Sequence, residues 1–424
     1  MKKLAKRLVV SVLSHQVKRL RQKNSFTVIA VAGSVGKTST KLAIANMLGA
    51  TKKVRYQEGN YNDIISVPLV FFGLDMPSLF NPFAWFKVFF QIEKQLAKPF
   101  AYNFVVVELG TDGPGQIKSF GRYLNADIGV LTAIRPEHME YFADIDAVAA
   151  EELAIAKLCK KMIVSSDLVA KKYMDSLPNS LTYSLDSTAT YQLTNILLTN
   201  DSYNFSVRFN GVNILHLDYN ATSKIQLYMV CAAIAVAHEL DLSVDEITAG
   251  LNKIVPVKGR MNKLNGIKNS IILDDTYNAS PTSTKAALDA LYKRPAVQKI
   301  AILGNMNELG KHSAEAHKEI GKYCNPKELE LVVTIGPDAN KYLAAAAEAR
   351  GCTVRRYTNP YKAGMELQEL IKPGCLILAK GSQNNVFAEE AVKLLLDNPK
   401  DSDKLVRQSA EWLKNKQKIM KNSF

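Results

Sequence analysis

The sequence predicts an α/β protein made of a P-loop domain with a mostly parallel sheet and a C-terminal Rossmann-like α/β domain. Its 424 residues are too many for one ordinary hydrophobic core, so two or three domains are expected. An apolar run, a glycine-rich turn and a helical pattern follow one another at Val28–Leu48. Strand and helix patterns then alternate through residues 260–397, without the dinucleotide-binding GxGxxG motif. The predicted segments are a basic helical arm (1–25), the P-loop domain (26–258), the Rossmann-like domain (259–397) and a basic tail (398–424).

The positive charge of the chain is concentrated at its two ends. The net charge is +14, but residues 1–23 hold eight basic and no acidic residues, and residues 400–424 hold seven basic and three acidic residues. The long middle segment is therefore close to neutral, which argues against a nucleic-acid partner. Five scattered cysteines without a CxxC pair fit a reduced cytoplasmic protein better than a zinc ribbon or a disulfide framework.

The N-terminal arm has the pattern of an amphipathic helix. Leu4, Leu8, Val9, Val12 and Leu13 recur at helical spacing among the basic residues. The apolar centre of this segment is six residues long, which is short for a signal-peptide core and far short of a membrane span. Two interpretations stay open: a helix docked on the body of the protein, or a helix on an anionic membrane surface.

The glycine-rich turn has the chemistry of a phosphate site. We expect Val28–Ala32 to form a buried parallel strand and Ser39–Leu48 a helix. Glycines let backbone N–H groups point at phosphate oxygens, a lysine reaches the terminal phosphates and a hydroxyl binds Mg²⁺. The first glycine of the usual pattern is replaced by Val31. The residues expected to hold the nucleotide phosphates are Gly33, Ser34, Val35, Gly36, Lys37, Thr38 and Ser39.

Later segments of the same domain differ in character. Tyr191–Tyr219 alternates apolar and polar residues and turns at Asn-Asp and Asn-Gly pairs, a pattern typical of antiparallel strands. Lys224–Leu242 is apolar enough to be a buried helix, and Pro256–Gly259 is the expected hinge between the large domains.

The aromatic-rich stretch Pro68–Phe104 is interrupted by polar residues and prolines, so it cannot span a membrane as one helix. Asn81-Pro82 favours a helix start, which predicts a helix over Phe83–Leu96. This helix is either a core helix that crosses the sheet or, with the N-terminal arm, part of a membrane-facing surface. The residues that would share one side of it are Phe83, Phe86, Phe90 and Lys94.

Several stretches, in family order, resemble motifs of the Mur ligase family, the ATP-dependent enzymes that build the peptide of bacterial cell-wall precursors. "ILDDTYNASPTSTKAALDAL" (Ile272–Leu291) resembles a segment of the branch that adds D-alanyl-D-alanine, almost residue for residue. Together the matches cover most of residues 26–397. The other stretches are Gly59–Leu69, Val105–Ile117, Ile128–Phe142, Gly259–Leu264, Ile300–Gly310 and Leu378–Val392.

The resemblance implies a ligase in which a carboxylate takes the γ-phosphoryl group of ATP and an amine then displaces phosphate. Because anions must approach one another, cations have to neutralise the moving charge, and Lys37 and Arg260 are implied for that role. Thr38 would bind one Mg²⁺, and a second Mg²⁺ would lie near Glu108 and His138. The implied substrates are a cell-wall precursor peptide and D-alanyl-D-alanine.

The resemblance also assigns residues to the nucleotide and the substrates. Asp275 matches the aspartate that holds the ribose, and Asp274 and Asn278 would shape its turn. Because these implied contacts come from both large domains, we expect the nucleotide to lie between them and closure about the hinge to exclude water. The residues implied for substrate binding are Asn60, Asn62, Tyr277, Lys380, Gly381 and Ser382.

Three positions depart from the family pattern. Members commonly carry a carbamylated lysine in the helix after the histidine, whereas the helix expected over Asp146–Lys161 has Glu152 at the matching position. A carboxylate can replace a carbamate as a metal ligand, and Lys157 is the other candidate. Asn305 stands where aspartate is commoner, and Gln383 where arginine is often found, so the identity of the incoming amine stays open.

The front of the chain is the largest departure. Full-length family enzymes begin with a domain that binds the uridine diphosphate of their substrate, but only about 25 residues precede the P-loop strand here. A lipid-linked precursor, concentrated at a bilayer, is one hypothesis for the substrate. Two alternative functions are an amidating subunit paired with a glutaminase and a non-catalytic nucleotide-binding scaffold.

Overall fold

The chain folds into two compact units. The computed structural model describes residues 2–59, 61–136, 139–199 and 202–421. The first unit comprises Met1–Ala221 and Gln226–Val255, and the second comprises Thr222–Ile225 and Pro256–Phe424. The basic arm therefore belongs to the first unit and the basic tail to the second.

The first unit contains nine strands and nine α-helices within the described residues. Its strands are β1 (Thr27–Ala32), β2 (Val54–Arg55), β3 (Phe104–Glu108), β4 (Ala126–Leu131), β5 (Cys159–Ser165), β6 (Leu181–Ser184), β7 (Tyr191–Thr199), β8 (Ser202–Phe209) and β9 (Val212–Tyr219). Its helices are α1 (Lys2–Lys23), α2 (Lys37–Gly49), α3 (Ser66–Phe72), α4 (Pro82–Leu96), α5 (Gln116–Ser119), α6 (Ile145–Leu153), α7 (Lys171–Met174), α8 (Gln226–Glu239) and α9 (Val244–Leu251).

These strands form one sheet in the order β2-β3-β1-β4-β5-β6-β7-β8-β9. Pairing is parallel from β2 to β7 and antiparallel from β7 to β9, as the alternating pattern of Tyr191–Tyr219 predicts. Val31 of β1 lies opposite Glu108 of β3 and Val130 of β4. The carboxyl ends of three central strands therefore meet at one edge, where ligands bind in open α/β sheets.

Two hydrophobic cores cover the faces of this sheet. Successive residues of β1 point to opposite faces, because side chains alternate along a strand. Ile29 and Val31 pack in the core that includes α2 and α8, whereas Val28 and Ala30 pack in the core that includes α1, α3 and α4. The parallel strand predicted at Val28–Ala32 is thus buried on both faces.

The second unit has its own sheet and helices. Its strands are β10 (Asn262–Gly266), β11 (Ser270–Asp275), β12 (Lys299–Gly304), β13 (Leu331–Ile335), β14 (Val354–Tyr357) and β15 (Leu376–Lys380). Its α-helices are α10 (Pro281–Tyr292), α11 (Ser313–Tyr323), α12 (Ala344–Ala349), α13 (Pro360–Leu370), α14 (Ala388–Leu395) and α15 (Ala410–Lys421). The sheet order is β10-β11-β15-β12-β13-β14, antiparallel only between β10 and β11. Asp275 pairs in register with Lys380.

Two expected helices have different bounds. The phosphate-loop helix starts at Lys37 instead of Ser39, directly after the turn at Gly36. The helix expected over Asp146–Lys161 is wrong in its second half, since α6 ends at Leu153 and a 3₁₀ turn carries the chain to β5. The residues from Cys159 onward instead pair with β4, so the sheet takes them out of the helix.

The N-terminal arm is a helix with one face buried. Leu13, Val17 and Leu20 of α1 pack in the core of the first unit, as expected for a docked helix. None of the helices in the described residues combines the length and the apolar character that a membrane crossing requires.

Candidate active site

The loop from Gly33 to Gly36 joins β1 to α2 and has a backbone that only glycine tolerates at its first position. Gly33 has φ +126°, and a Cβ there would lie 2.3 Å from Thr132 Oγ1. Gly36 is the N-cap of α2 with φ 87°, and no side chain of the described residues caps the helix through it. The first N–H groups of α2 therefore have no side-chain cap, which suits a phosphate.

The end of β4 holds the loop from one side. Ser34 N–H donates to the Ala133 carbonyl at 2.9 Å, and Arg135 N–H donates to Ser34 Oγ at 2.7 Å. Thr132 Oγ1 donates to the Val35 carbonyl at 2.6 Å. Ser34 and Val35 are thus fixed by backbone and hydroxyl contacts, which keeps the loop in shape before any ligand arrives.

A buried carboxylate of helix α6 also contacts this loop. Glu152 Oε2 accepts a hydrogen bond from Gly33 N–H at 2.7 Å, and Glu152 is buried. Lys37 Nζ donates to the Gly33 carbonyl at 2.6 Å. Lys157, the alternative to Glu152, is exposed. The structure therefore brings Glu152 against the phosphate loop.

Glu108 contacts three polar side chains on the opposite side of the loop. It is buried at the end of β3, and its Oε1 accepts hydrogen bonds from Thr38 Oγ1 at 3.1 Å and from Asn62 Nδ2 at 3.3 Å. Lys41 Nζ lies 3.4 Å from Oε2. Apart from this ion pair, Oε2 accepts no hydrogen bond from the described residues. Glu108 is therefore a buried carboxylate whose second oxygen is only partly satisfied.

Lys41 is a site residue that the sequence reasoning missed. It is buried on α2, one turn after Lys37, and its Nζ also donates to the Gly59 carbonyl at 3.3 Å. A lysine in a helix is normally solvated, so the residue type alone does not indicate a buried site residue. The spacing of four residues from Lys37, on the same face of the helix, could have indicated it.

The oxygen donors at this edge suit Mg²⁺. Thr38 contributes a hydroxyl and Glu108 a carboxylate, both hard ligands of the kind that Mg²⁺ prefers, and the partly satisfied Oε2 supports the fit. The described part of the chain contains no group of three or more His, Cys, Asp or Glu residues arranged for a metal. The predicted ligand His138 and the predicted substrate residue Asn60 lie outside the described residues.

In the second unit, two motifs that are distant from the phosphate loop in sequence are joined to each other. Gly259 N–H donates to Asp274 Oδ2 at 3.1 Å, and Met261 N–H donates to Asp275 Oδ1 at 3.2 Å. Tyr277 N–H donates back to the Gly259 carbonyl at 3.0 Å. These bonds continue the antiparallel pairing of β10 with β11, so the Gly-Arg-Met segment and the Asp-Asp-Thr-Tyr-Asn segment form one structure.

Arg260 lies on the ring of Tyr277. Its Cζ is 4.1 Å from the ring centroid, a cation–π distance. The side chain is partly exposed. This stacking orients the guanidinium and brings together two residues for which the resemblance implied different roles, phosphate neutralisation and substrate binding.

Lys380 is placed differently from a residue that contacts substrate. Its side chain is buried, with Nζ 2.6 Å from Asp275 Oδ2 and donating to the Asn278 carbonyl at 3.0 Å. Burial lowers the pKa of Lys380, and the charge of Asp275 opposes that shift. In this structure the buried ammonium group of Lys380 holds the Asp275 carboxylate and the turn at Asn278 in place.

Asp274 serves the backbone of the same turn. Its Oδ1 accepts hydrogen bonds from Thr276 N–H at 3.2 Å and Thr276 Oγ1 at 2.6 Å. Complete burial raises the pKa of Asp274 to about 7, although the bonds from Thr276 act in the other direction. Because both oxygens of Asp274 accept hydrogen bonds from Thr276 and Gly259, its side chain holds the turn in shape.

Ser382 and Gly381 lie where the ends of β12 and β15 approach each other. Ser382 Oγ donates to the Ala279 carbonyl at 3.2 Å and accepts from Asn307 N–H at 2.9 Å. A Cβ on Gly381 would lie 3.0 Å from Val386 Cγ1, closer than ordinary contact. Ser382 therefore links the turn after β11 to the loop after β12.

A second contact that sequence reasoning missed comes from the C-terminal tail. Arg407 donates to the carbonyls of Thr276 at 2.6 Å and Tyr277 at 3.1 Å, and its guanidinium pairs with the buried Glu389 at 2.7 Å. The tail thus supports the backbone that carries Tyr277. Nothing in the basic composition of the tail distinguishes Arg407 from its neighbours.

A glycine loop after a central parallel strand, with a lysine and a hydroxyl at the start of the next helix, defines a P-loop nucleotide-binding protein. Two family models match this chain: the Mur ligase middle domain at residues 87–237, and the Mur ligase glutamate ligase domain at residues 259–383. The chain belongs to the Mur ligase family, whose members are ATP-dependent ligases.

Named relatives share one activity. The UDP-N-acetylmuramoyl-tripeptide–D-alanyl-D-alanine ligase of Bacillus subtilis is 27% identical over 92% of this chain and 80% of its own length. The enzyme of that name from Synechocystis is 27% identical over 89% of this chain and 77% of its own length.

Solved structures of the family have the same fold. A crystal structure of MurF from Acinetobacter baumannii superposes with a TM-score of 0.74 at 23% identity, covering 90% of this chain and 79% of that one. MurF ligase from Thermotoga maritima in complex with ADP gives a TM-score of 0.73 at 23% identity, covering 93% of this chain and 84% of that one. Both confirm the predicted α/β fold.

Proposed function

We propose that this chain is the ATP-dependent ligase that joins D-alanyl-D-alanine to a muramyl tripeptide in peptidoglycan precursor synthesis. The observation that carries the proposal is the phosphate loop, in which Lys37, Thr38 and Glu108 surround the N-terminus of α2. Relatives named for that reaction support the choice of substrates. The "Asp-Asp-Thr-Tyr-Asn" segment supports the same branch of the family.

The reaction has two steps that place different demands on the protein. The tripeptide carboxylate attacks the γ-phosphorus of ATP, so a carboxylate–phosphorus bond forms and ADP leaves. The amine of D-alanyl-D-alanine then attacks the acyl carbon, an amide bond forms, phosphate leaves with the electron pair and the amine loses a proton. Both steps bring anions together, so the protein must supply positive charge and exclude water.

The phosphate loop supplies the first requirement. Lys37 would leave the Gly33 carbonyl and reach the terminal phosphates, while the uncapped N–H groups of α2 would bind phosphate oxygens. Thr38 would hold one Mg²⁺, and Glu108, His138 and Glu152 are the proposed ligands of a second. When bound, Mg²⁺ neutralises phosphate charge and orients the phosphoryl oxygens. Lys41 Nζ, 3.4 Å from Glu108 Oε2, would offset the negative charge of that carboxylate.

The second unit supplies nucleotide contacts. Asp275, held by Lys380, would accept hydrogen bonds from the ribose hydroxyls, and Asn278 would keep the turn in place. Arg260, oriented on Tyr277, would interact with the phosphates. Lys380, Gly381 and Ser382 would act on the substrates through the loop that they shape. Asn62 would act near the carboxylate through Glu108.

The place of the reaction is also part of the proposal. All five cysteines lie in the described residues and are unpaired thiols. Unpaired thiols fit the reducing cytoplasm, where the relatives' nucleotide-linked substrate would be met. We propose a cytoplasmic enzyme on that ground.

A coupled assay for phosphate release tests the proposal. Purified protein is given ATP, Mg²⁺, UDP-N-acetylmuramoyl-tripeptide and D-alanyl-D-alanine. We expect phosphate release that needs both substrates, and a Lys37→Ala variant that loses at least about a hundredfold of the rate, since about 2.7 kcal/mol of transition-state stabilisation would disappear. The matched control is Lys53→Ala, an exposed lysine outside the loop.

Other outcomes separate the alternatives. Release that requires ammonia or a glutaminase, and not the dipeptide, would identify an amidating subunit. Nucleotide binding without turnover under any substrate combination would identify a scaffold. Unchanged turnover in Lys37→Ala would contradict the site itself.

A further inference from the structure

Helix α4 exposes a row of phenylalanines to solvent. Phe83, Phe86 and Phe90 are 86%, 74% and 53% exposed, whereas Trp85, Val88, Ile92 and Leu96 on the other side of the helix are buried. We name Phe83, Phe86 and Phe90 the α4 aromatic face. The core that α4 covers is complete without these rings, so packing within the unit does not explain them.

Lysines alternate with the rings along the same face. Lys87 and Lys94 follow Phe83 and Phe90 by four residues each, a spacing that places all four on one stripe of the helix. Both lysines are exposed, and Lys94 Nζ lies 4.6 Å from the Phe90 ring centroid. The face therefore combines large apolar surface with positive charge.

Helix α1 lies beside α4 and extends this surface. Glu93 accepts hydrogen bonds from Arg19 at 2.6 Å and from Gln16 at 3.4 Å, and Lys23 donates to the Leu96 carbonyl at 3.3 Å. The order of these contacts shows that the two helices run in the same direction. Toward its N-terminus α1 exposes the apolar side chains Leu8 (60%) and Val12 (41%).

The charge of this surface selects its partner. Arg7 beside Leu8 is exposed, and residues 1–23 contain no acidic residue. Glu93, the acidic residue of α4, is paired with Arg19. A second copy of the chain presenting the same face would bring like charges together. An anionic lipid surface offers the complement: phosphates for the lysines and arginines, and an apolar boundary for the rings.

We propose that the α4 aromatic face, together with the exposed side of α1, docks on an anionic lipid bilayer. The rings enter the boundary between headgroups and acyl chains, and the basic residues remain at the level of the phosphates. The binding is peripheral and reversible. Its consequence, that the enzyme meets substrate at a membrane, rests on the proposed ligase activity, whereas the docking itself does not.

Vesicle flotation tests the docking. The full chain is mixed with vesicles of phosphatidylglycerol and phosphatidylcholine, or of phosphatidylcholine alone. We expect binding to the anionic vesicles that weakens as salt is raised, because the ionic part is screened. A Phe83→Ser/Phe86→Ser/Phe90→Ser variant should bind at least about tenfold more weakly, since each ring loses its apolar contact. The matched control is Leu197→Ser/Val212→Ser, two exposed apolar residues of β7 and β9.

The outcomes are distinct. Equal binding by the triple variant and the native chain, or no binding by the native chain to anionic vesicles, would overturn the proposal. A native dimer that the triple variant converts to a monomer, without vesicle binding by either, would assign the face to a second copy instead. Phosphate release with substrates in solution, measured on the same variants, reports the ligase activity separately, and the triple variant should retain it.

Discussion

Glu152 shows how one carboxylate can be tied to the phosphate loop through its backbone. Its Oε2 accepts the Gly33 N–H, and the side chain is buried beside a loop that is expected to receive anions. An anion at this point would be repelled by phosphate unless a cation lies between them. This position supports the proposal that Glu152 serves Mg²⁺ and does not contact ATP directly.

A substitution that removes the charge of Glu152 but keeps its shape tests this role. Glu152→Gln keeps an oxygen that can accept the Gly33 N–H but removes the negative charge. We expect the Mg²⁺ concentration for half-maximal phosphate release to rise by about tenfold or more, the usual scale for losing a group that supports a metal. Lys157→Ala, which changes the exposed alternative, should leave that concentration unchanged. The reverse pattern would assign the metal to Lys157.

At the scale of the element, the C-terminal helix α15 is anchored by buried charges. Glu389 and Glu390 begin α14 and are fully buried. Lys416 of α15 lies 2.8 Å from Glu389 and 2.5 Å from Glu390, and is itself buried. The basic tail is therefore part of the second unit's core. One of the two carboxylates, Glu389, also pairs with Arg407, which donates to the carbonyls of Thr276 and Tyr277.

Replacing the buried lysine of this anchor should lower the free energy of unfolding far more than replacing an exposed lysine. Lys416→Met leaves two buried carboxylates short of a partner, so we expect a loss of about 3–5 kcal/mol in the free energy of unfolding. Lys414→Met changes an exposed lysine two residues earlier on the same helix, and should change stability by less than about 0.5 kcal/mol. Urea denaturation of both variants measures the difference. Equal stability of the two would show that α15 is not anchored in this way.

Across the full chain, the residues for which the resemblance implies ATP contacts belong to both units. The phosphate loop belongs to the first unit, and Arg260 and Asp275 belong to the second. Each unit has its own sheet and its own hydrophobic cores. A nucleotide that binds through the phosphate loop should therefore stabilise the folded chain. The size of that stabilisation measures whether the loop is used.

Ligand binding and metal removal provide that measurement. A non-hydrolysable ATP analogue at a hundred times its Kd, with Mg²⁺, should stabilise the native chain by about 2.7 kcal/mol. EDTA should remove most of the accompanying rise in Tm, because the phosphates then lose their counter-ion. Lys37→Ala should show little rise, whereas Lys53→Ala should behave as the native chain. A full rise in Lys37→Ala would place nucleotide binding elsewhere.

Much of the architecture could be predicted from local patterns. The apolar run before Gly33 gives a buried strand, because both faces of a parallel sheet need apolar side chains. Asn81-Pro82 correctly marks the start of α4, where Asn81 Oδ1 accepts the Ala84 N–H at 3.0 Å. The helical pattern over Asp146–Lys161 failed in its second half, because pairing with β4 overrides local helical preference after Leu158.

The site was predictable only in part. Motifs named the phosphate-loop residues, Glu108 and Asp275, since their types and order carry the chemistry. Lys41 and Arg407 were missed, because the burial of each depends on an ion-pair partner that is distant in sequence: Glu108 for Lys41 and Glu389 for Arg407. The roles assigned to the site residues stay predictions until the variants are measured.

The fold class, the phosphate loop and the family motifs follow from the amino-acid sequence alone, because these depend on residue type at short spacing. Three features required the folded chain: Glu152 contacts the loop while Lys157 is exposed, buried Lys380 pairs with Asp275, and the rings of α4 stay outside the core. Burial and pairing of charge are set by contacts between distant segments, and local spacing does not encode those contacts.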